Sequence, residues 1–117
     1  MDKKLKIYLL KNFYGSDYKL APVIEHYSSN GTLAIELWET KRGKLSEPFA
    51  TLTVNLSKSK GKTKQYVDIN NCPWALNFIE TNELGKRTGD YDFSGYCIYP
   101  EYEFNLEKLN EMKEEGD

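Results

Sequence analysis

The chain has 117 residues, 39% of them apolar and 29% charged, with 16 Lys and Arg against 18 Asp and Glu for a net charge of −2. A chain of this size and balance fits one self-sufficient domain, read here as residues 1–117, and its two cysteines are too few for a disulfide scaffold. No apolar run approaches the roughly 18 residues of a membrane span, and Met1-Asp2-Lys3-Lys4 leads into strand pattern without a signal-peptide core, which points to a reduced cytoplasmic protein with no membrane partner.

Apolar residues recur with period two at Leu5, Ile7 and Leu9, predicting a first strand with one buried face. Lys19–Tyr27 reads as a second strand, with Pro22 suited to an edge because it lacks an amide donor. Asn30-Gly31 then predicts a tight hairpin and antiparallel pairing with a third strand carrying Leu33, Ile35 and Leu37. Lys41-Arg42-Gly43-Lys44 turns the chain towards Leu52, Val54 and Leu56, and the lysine-rich stretch 58–64 turns it again towards Val67 and Ile69. A five-stranded meander follows.

The period changes after Ile69. Trp74, Ala75, Phe78 and Ile79 form one helical stripe, predicting a helix over 73–84 capped by Asn70 or Asn71, opened by Pro73 and stopped by Gly85. Tyr96–Phe104 reads as one or two short strands interrupted by Pro100, and Asn105 as the cap of a last helix carrying Leu106, Leu109 and Met112. Residues 101–117 carry a net −5, so the acidic end at about 113–117 is expected to fray. The predicted class is α+β: a largely antiparallel sheet of five or six strands, one helix packed on a face, and a short C-terminal helix. In that packing Trp74, Phe78 and Ile79 are buried against Ile35, Leu52 and Val54.

Three segments can be set side by side: Glu47-Pro48-Phe49-Ala50-Thr51-Leu52-Thr53-Val54-Asn55-Leu56, Asn70-Asn71-Cys72-Pro73-Trp74-Ala75, and Gly89-Asp90-Tyr91 with Ser94-Gly95-Tyr96 and Tyr99-Pro100. Together they resemble a bacterial family of small domains of unknown function, found in Gram-positive bacteria and on their conjugative, plasmid or phage-derived elements. The resemblance implies an intact domain in a mobile-element setting. It carries no activity and no catalytic residues to transfer.

The chemistry-bearing residues divide into three groups. Cys72 stands at the predicted helix N-terminus, where amides and the helix dipole stabilise a thiolate, so a minor enzyme using Cys72 is one reading; His26 is the single histidine, and a buried structural Cys72 is favoured. Cys97 has no partner spacing for zinc, the Asp90–Asp92 pair reads as a turn former, and no cofactor or metal is expected. Lys58, Lys60, Lys62 and Lys64, with Lys41, Arg42 and Lys44, form two cationic loops that suit phosphate, giving a nucleic-acid-binding accessory as a second reading.

Aromatic content points to a third. Tyr91, Phe93, Tyr96, Tyr99, Tyr102 and Phe104 crowd into fourteen residues and cannot all enter one small core, and Trp38 falls on the strand face opposite Leu33, Ile35 and Leu37. Rings held between glycines are what protein interfaces prefer. Trp38, Tyr91, Phe93, Tyr96, Tyr99 and Tyr102 are therefore the predicted partner-binding residues, although Tyr96 and Tyr99, three apart, cannot share one face of an ideal strand. The favoured reading is a non-enzymatic protein-binding accessory or inhibitor module of a mobile genetic element, acting on a host or element protein such as host defence machinery.

Overall fold

A computed structural model of the chain describes residues 4–56 and 62–111. Its elements in chain order are β1 (Tyr8–Phe13), β2 (Ser16–His26), β3 (Leu33–Lys41), β4 (Lys44–Thr51), β5 (Thr53–Val54), β6 (Lys64–Val67), α1 (Ala75–Thr81), β7 (Gly85–Ser94), β8 (Cys97–Phe104), a 3₁₀ turn at Leu106–Lys108, and β9 (Asn110–Glu111). The α+β expectation is overturned: two mostly antiparallel sheets dominate, and α1 is the single α-helix among the described residues. One sheet runs β1-β2-β3-β4 with β9 pairing parallel to β2, and the other runs β5-β6-β8-β7.

Local chemistry explains the first sheet. The predicted antiparallel pair forms, but across a connection over 27–32 and not a tight Asn-Gly turn: Gly31 takes φ +71, while Asn30, not itself at positive φ, accepts through Oδ1 from Thr32 N at 3.2 Å and from Thr32 Oγ1 at 2.8 Å. Arg42 (φ 54) and Gly43 (φ 77) close the β3–β4 hairpin with two left-handed residues, the requirement of a type I′ turn. Pro22 does not lie at a sheet edge. It sits at a seam, between Leu20, the last β2 residue paired with β1, and Val23, the first paired with β9. Asn110 staples that seam, its Nδ2 donating to Pro22 O and to Lys6 O, each at 2.9 Å, while its Oδ1 accepts from Lys6 N at 2.7 Å. On β1 the buried side chain is Leu10, and Leu9 faces outward, one residue out of phase with the predicted face.

The run of alternation through Leu52 conceals a change of sheet. β4 pairs with β3 only from Lys44 to Thr51, and after Leu52 the chain enters the second sheet as β5. Three groups take over where β3 loses its neighbour: Leu52 N donates to Ile35 O at 2.8 Å, Ile35 N donates to Thr53 Oγ1 at 3.1 Å, and Gln65 Nε2 donates to Leu33 O at 2.8 Å. Buried backbone polar groups need such partners, and here they tie the two sheets together.

The helix is shorter than its sequence pattern. Pro73 and Trp74 remain in the preceding turn, which Asp68 closes by accepting from Asn71 N at 3.2 Å through its side chain and from Cys72 N at 2.9 Å through its carbonyl, so neither Asn70 nor Asn71 caps α1. Phe78 and Ile79 are buried with Ile35, Leu52, Val67 and Tyr102, whereas Trp74 and Val54 are half-buried. Gly85 is not the residue that stops α1. It opens β7, where a Cβ would stand 2.8 Å from Glu103 O, so close strand approach demands glycine there. The predicted last helix is instead one 3₁₀ turn, capped by Asn105 Oδ1 accepting from Glu107 N at 3.1 Å, and followed by β9. Met112 and the acidic end at 113–117 lie outside the described residues.

A second aromatic group went unpredicted. Phe13, Tyr18, Phe49, Trp74 and Phe78 form a chain of rings with centroids 5.1–6.0 Å apart, joining three strands of the first sheet to the helix region. Edge-on contacts of this kind contribute about 0.5–1.5 kcal/mol each beyond the area they bury.

Candidate functional site

β7 and β8 form a hairpin whose one face changes character along its length. Residues directly opposite one another in an antiparallel pair share a face, and the register sets Gly85 against Phe104, Arg87 against Tyr102, Tyr91 against Pro100 and Phe93 against Ile98. At the base of that face Phe104 and Tyr102 are core residues. Towards the tip the same face leaves the core: Ile98 is 50% exposed, and Tyr91 and Phe93 are 57% exposed each. The two rings meet edge-on with centroids 5.5 Å apart.

The turn between the strands adds a third ring. Gly95 (φ +61) and Tyr96 form a two-residue connection between Ser94 and Cys97, with glycine at the first central position, and Tyr96 is fully exposed. Below the tip, β7 carries a bulge over 88–90, since four steps from Arg87 to Tyr91 match two on β8. Thr88 Oγ1 fixes it, donating to Glu101 Oε1 at 2.6 Å and accepting from Asp90 N at 3.1 Å. The hairpin end is thus a braced apolar surface.

Of the predicted partner-binding residues, Tyr91, Phe93 and Tyr96 lie together on this end. Tyr99 and Tyr102 do not: they are 8% and 0% exposed, because Tyr102 follows the core-facing side of β8 inward and Tyr99 buries on the other side. Tyr102 donates its hydroxyl to Glu80 Oε2, and burial first, then that bond, pushes the phenol up to about 12. Trp38 stands apart on β3, half-buried opposite Ala21 and Pro48, with Nε1 donating to Glu36 Oε1 at 2.8 Å. Ile98 was missed, although its two-residue spacing from Pro100, Tyr102 and Phe104 places it on the same face.

The helix-terminus setting expected of Cys72 is not present. The thiol is buried, it donates to Thr51 O at 3.6 Å, and α1 begins only at Ala75. Burial, with a smaller contribution from the Asp68 carboxylate, pushes the thiol up to about 11, the opposite of what a helix N-terminus would do. At pH 8 Cys72 is therefore held as the neutral thiol. Iodoacetamide at that pH should modify half-buried Cys97 and leave Cys72 untouched until the chain is unfolded, as peptide mass mapping would show. The unfolded thiol ionises near 8.5, so the fold keeps its full stability below that value and loses this contribution as the pH rises towards 11.

The other candidates are not brought together. Lys64 lies in β6 opposite Glu103 and not in a loop, Lys62 is exposed, and Lys58 and Lys60 lie outside the described residues. Asp90 and Asp92 lie in β7 and not in a turn, although Asp92 Oδ1 makes a local bond, accepting from Phe93 N at 2.8 Å. No group of three His, Cys, Asp or Glu side chains suited to a metal occurs among the described residues. A cleft of about 1040 Å³ at the hairpin base is lined by Glu80, Glu83, Lys86, Arg87, Glu103 and Lys108, with Lys108 Nζ 3.8 Å from Glu83 Oε1. Both charge signs line its walls, which gives neither an anion nor a cation a coherent field.

No helix among the described residues is long and apolar enough to cross a membrane. Residues 22–117 match the family model described as Domain of unknown function (DUF4313). No curated protein and no solved structure matches the chain.

Proposed function

We propose, for a chain that belongs to the DUF4313 family of domains of unknown function, a protein-binding role carried by the end of the β7–β8 hairpin. The observation that supports it is the continuation of a core-facing strand surface beyond the core, where Tyr91, Phe93 and Ile98 stay half exposed beside the fully exposed Tyr96. An apolar patch of this kind on a hairpin of fixed register offers large rings at low entropic cost, the property of interface anchors. In the mobile-element setting that the sequence resemblance implies, the partner is a host protein, with defence machinery as the class to examine first. Such a module works by occupying a surface and needs no catalytic centre.

The role predicts a separation between folding and binding. Replacing Tyr91 and Phe93 together by Ser should change stability by about 1 kcal/mol or less, because both rings are more than half exposed, while each true anchor lost should weaken binding by about 2 kcal/mol. Tyr14, 93% exposed in the β1–β2 turn, is the control. A partner retained on immobilised wild-type protein and on Tyr14→Ser, yet lost from the double variant, is the expected result. Equal retention by all three proteins would sink the proposal.

A further inference from the structure

The hairpin also has an open edge. β7 has β8 as its only ladder neighbour among the described residues, so alternate residues turn backbone N–H and C=O groups away from the sheet. Lys86, Arg87, Thr88, Gly89, Asp90 and Tyr91 are all exposed. Their charges are ordered along the strand, with two cations before Gly89 and two carboxylates, Asp90 and Asp92, after it. A strand charged positive on one half and negative on the other is complementary to itself in one orientation alone. Parallel pairing sets Lys86 against Lys86, whereas antiparallel pairing sets cations against carboxylates twice.

We propose that β7 is a self-association edge, on which a second copy of this chain docks antiparallel about a twofold axis at Gly89, pairing Lys86 of each copy with Asp92 of the other. In that register Arg87 falls opposite Tyr91, where guanidinium and ring attract, and Thr88 falls opposite Asp90. Gly89 suits the axis: it holds φ +97, and nothing lies within 4 Å of where a Cβ would be, so two backbones can approach. The bulge over 88–90 divides the pairing into two short arms on either side of the axis. A twofold contact of this type uses the same patch on both copies, and it therefore closes at a dimer and does not propagate into a fibre. The contact shares Tyr91 with the partner-binding end but uses the edge of β7 and not the outward face of Phe93 and Ile98, and its test needs no partner, so its failure and that of the partner-binding role are distinguishable.

Sedimentation equilibrium of the purified full chain tests it without any partner. Wild-type protein examined from about 1 µM to about 1 mM in about 50 mM salt should pass from monomer to dimer and no further. Lys86→Asp and Asp92→Lys should each weaken the dimer at least about tenfold, since each brings two like-charge pairs together across the axis. Mixed in equal amounts, the two variants should dimerise with each other about as well as wild type, because both pairs across that heterodimer are again opposite in sign. Should either reversal unfold, Lys86→Gln and Asp92→Asn remove the attraction alone and should weaken the dimer by a smaller factor. A wild-type chain monomeric throughout, a mixture no stronger than its components, or neutral variants that dimerise like wild type would each overturn the proposal.

Discussion

Phe78→Ala should lower the unfolding free energy by about 3–5 kcal/mol, the range for deleting a fully buried Phe ring. The residue is 2% exposed, lies in one cluster with Leu52, Val67, Ala75 and Ile79, and meets the Trp74 ring edge-on at 6.0 Å. Its helix magnifies the loss. α1 has seven residues and no side-chain cap, far below the length at which a helix stands alone, so packing is what holds it. Urea titration should show a lower midpoint with the slope kept, and Phe78→Leu, which leaves less of a cavity, should lose less than half as much. A loss for Phe78→Ala below about 1 kcal/mol would mean that the ring does not anchor the helix to the sheets.

That anchor was legible in the sequence because a helical stripe is read from neighbours in the chain, and Phe78 and Ile79 fall on its buried side. The fold class was not. Trp74 to Leu84 looked long enough to form a layer, but Pro73 and Trp74 belong to the turn before α1, and Leu84 N is held by Ile79 O at 2.9 Å after the helix has ended. β7 gave no strand signal at all: Lys86-Arg87-Thr88-Gly89-Asp90 has no apolar alternation, since all five residues are exposed, and pairing with β8 sets its conformation. Pro100 suggested a break in a strand that in fact continues through it.

The site was half legible for the same reason. A cluster of rings in sequence shows that some must face outward, but which ones do depends on where the core stops under the hairpin. Tyr102 and Tyr91 share a face, two ladder steps along β8 and one bulge apart, and only the first joins the core cluster and reaches the helix at Glu80. The Phe13–Phe49–Trp74 cluster shows the reverse case: its members are scattered along the chain, and no local pattern could have joined them.

The junction between the sheets should be as sensitive as the core, and for a different cause. Gln65 is 1% exposed, its Nε2 donates to Leu33 O at 2.8 Å, and its Oε1 accepts from Tyr66 N at 3.0 Å. Gln65→Met keeps the volume and removes both bonds, taking from the Leu33 carbonyl the donor that Gln65 supplied and from the Tyr66 amide the Gln65 acceptor. A buried group that loses such a partner costs about 1–3 kcal/mol, so a loss of that size is expected from a change that creates no cavity. Gln65→Glu separates hydrogen bonding from packing. Its ionised carboxylate can still accept from Tyr66 N but cannot donate to Leu33 O, and burial disfavours the charge, so the carboxyl is held above its unfolded pKa. The sign follows: relative to wild type at the same pH, Gln65→Glu is weakest at neutral pH and regains stability as the pH falls through that raised value, where the protonated acid can donate again. Denaturant midpoints for both variants at pH 7 and pH 5 would read this directly. If Gln65→Met lies within about 0.5 kcal/mol of wild type, the amide is not what holds β3 to β6 where β4 departs.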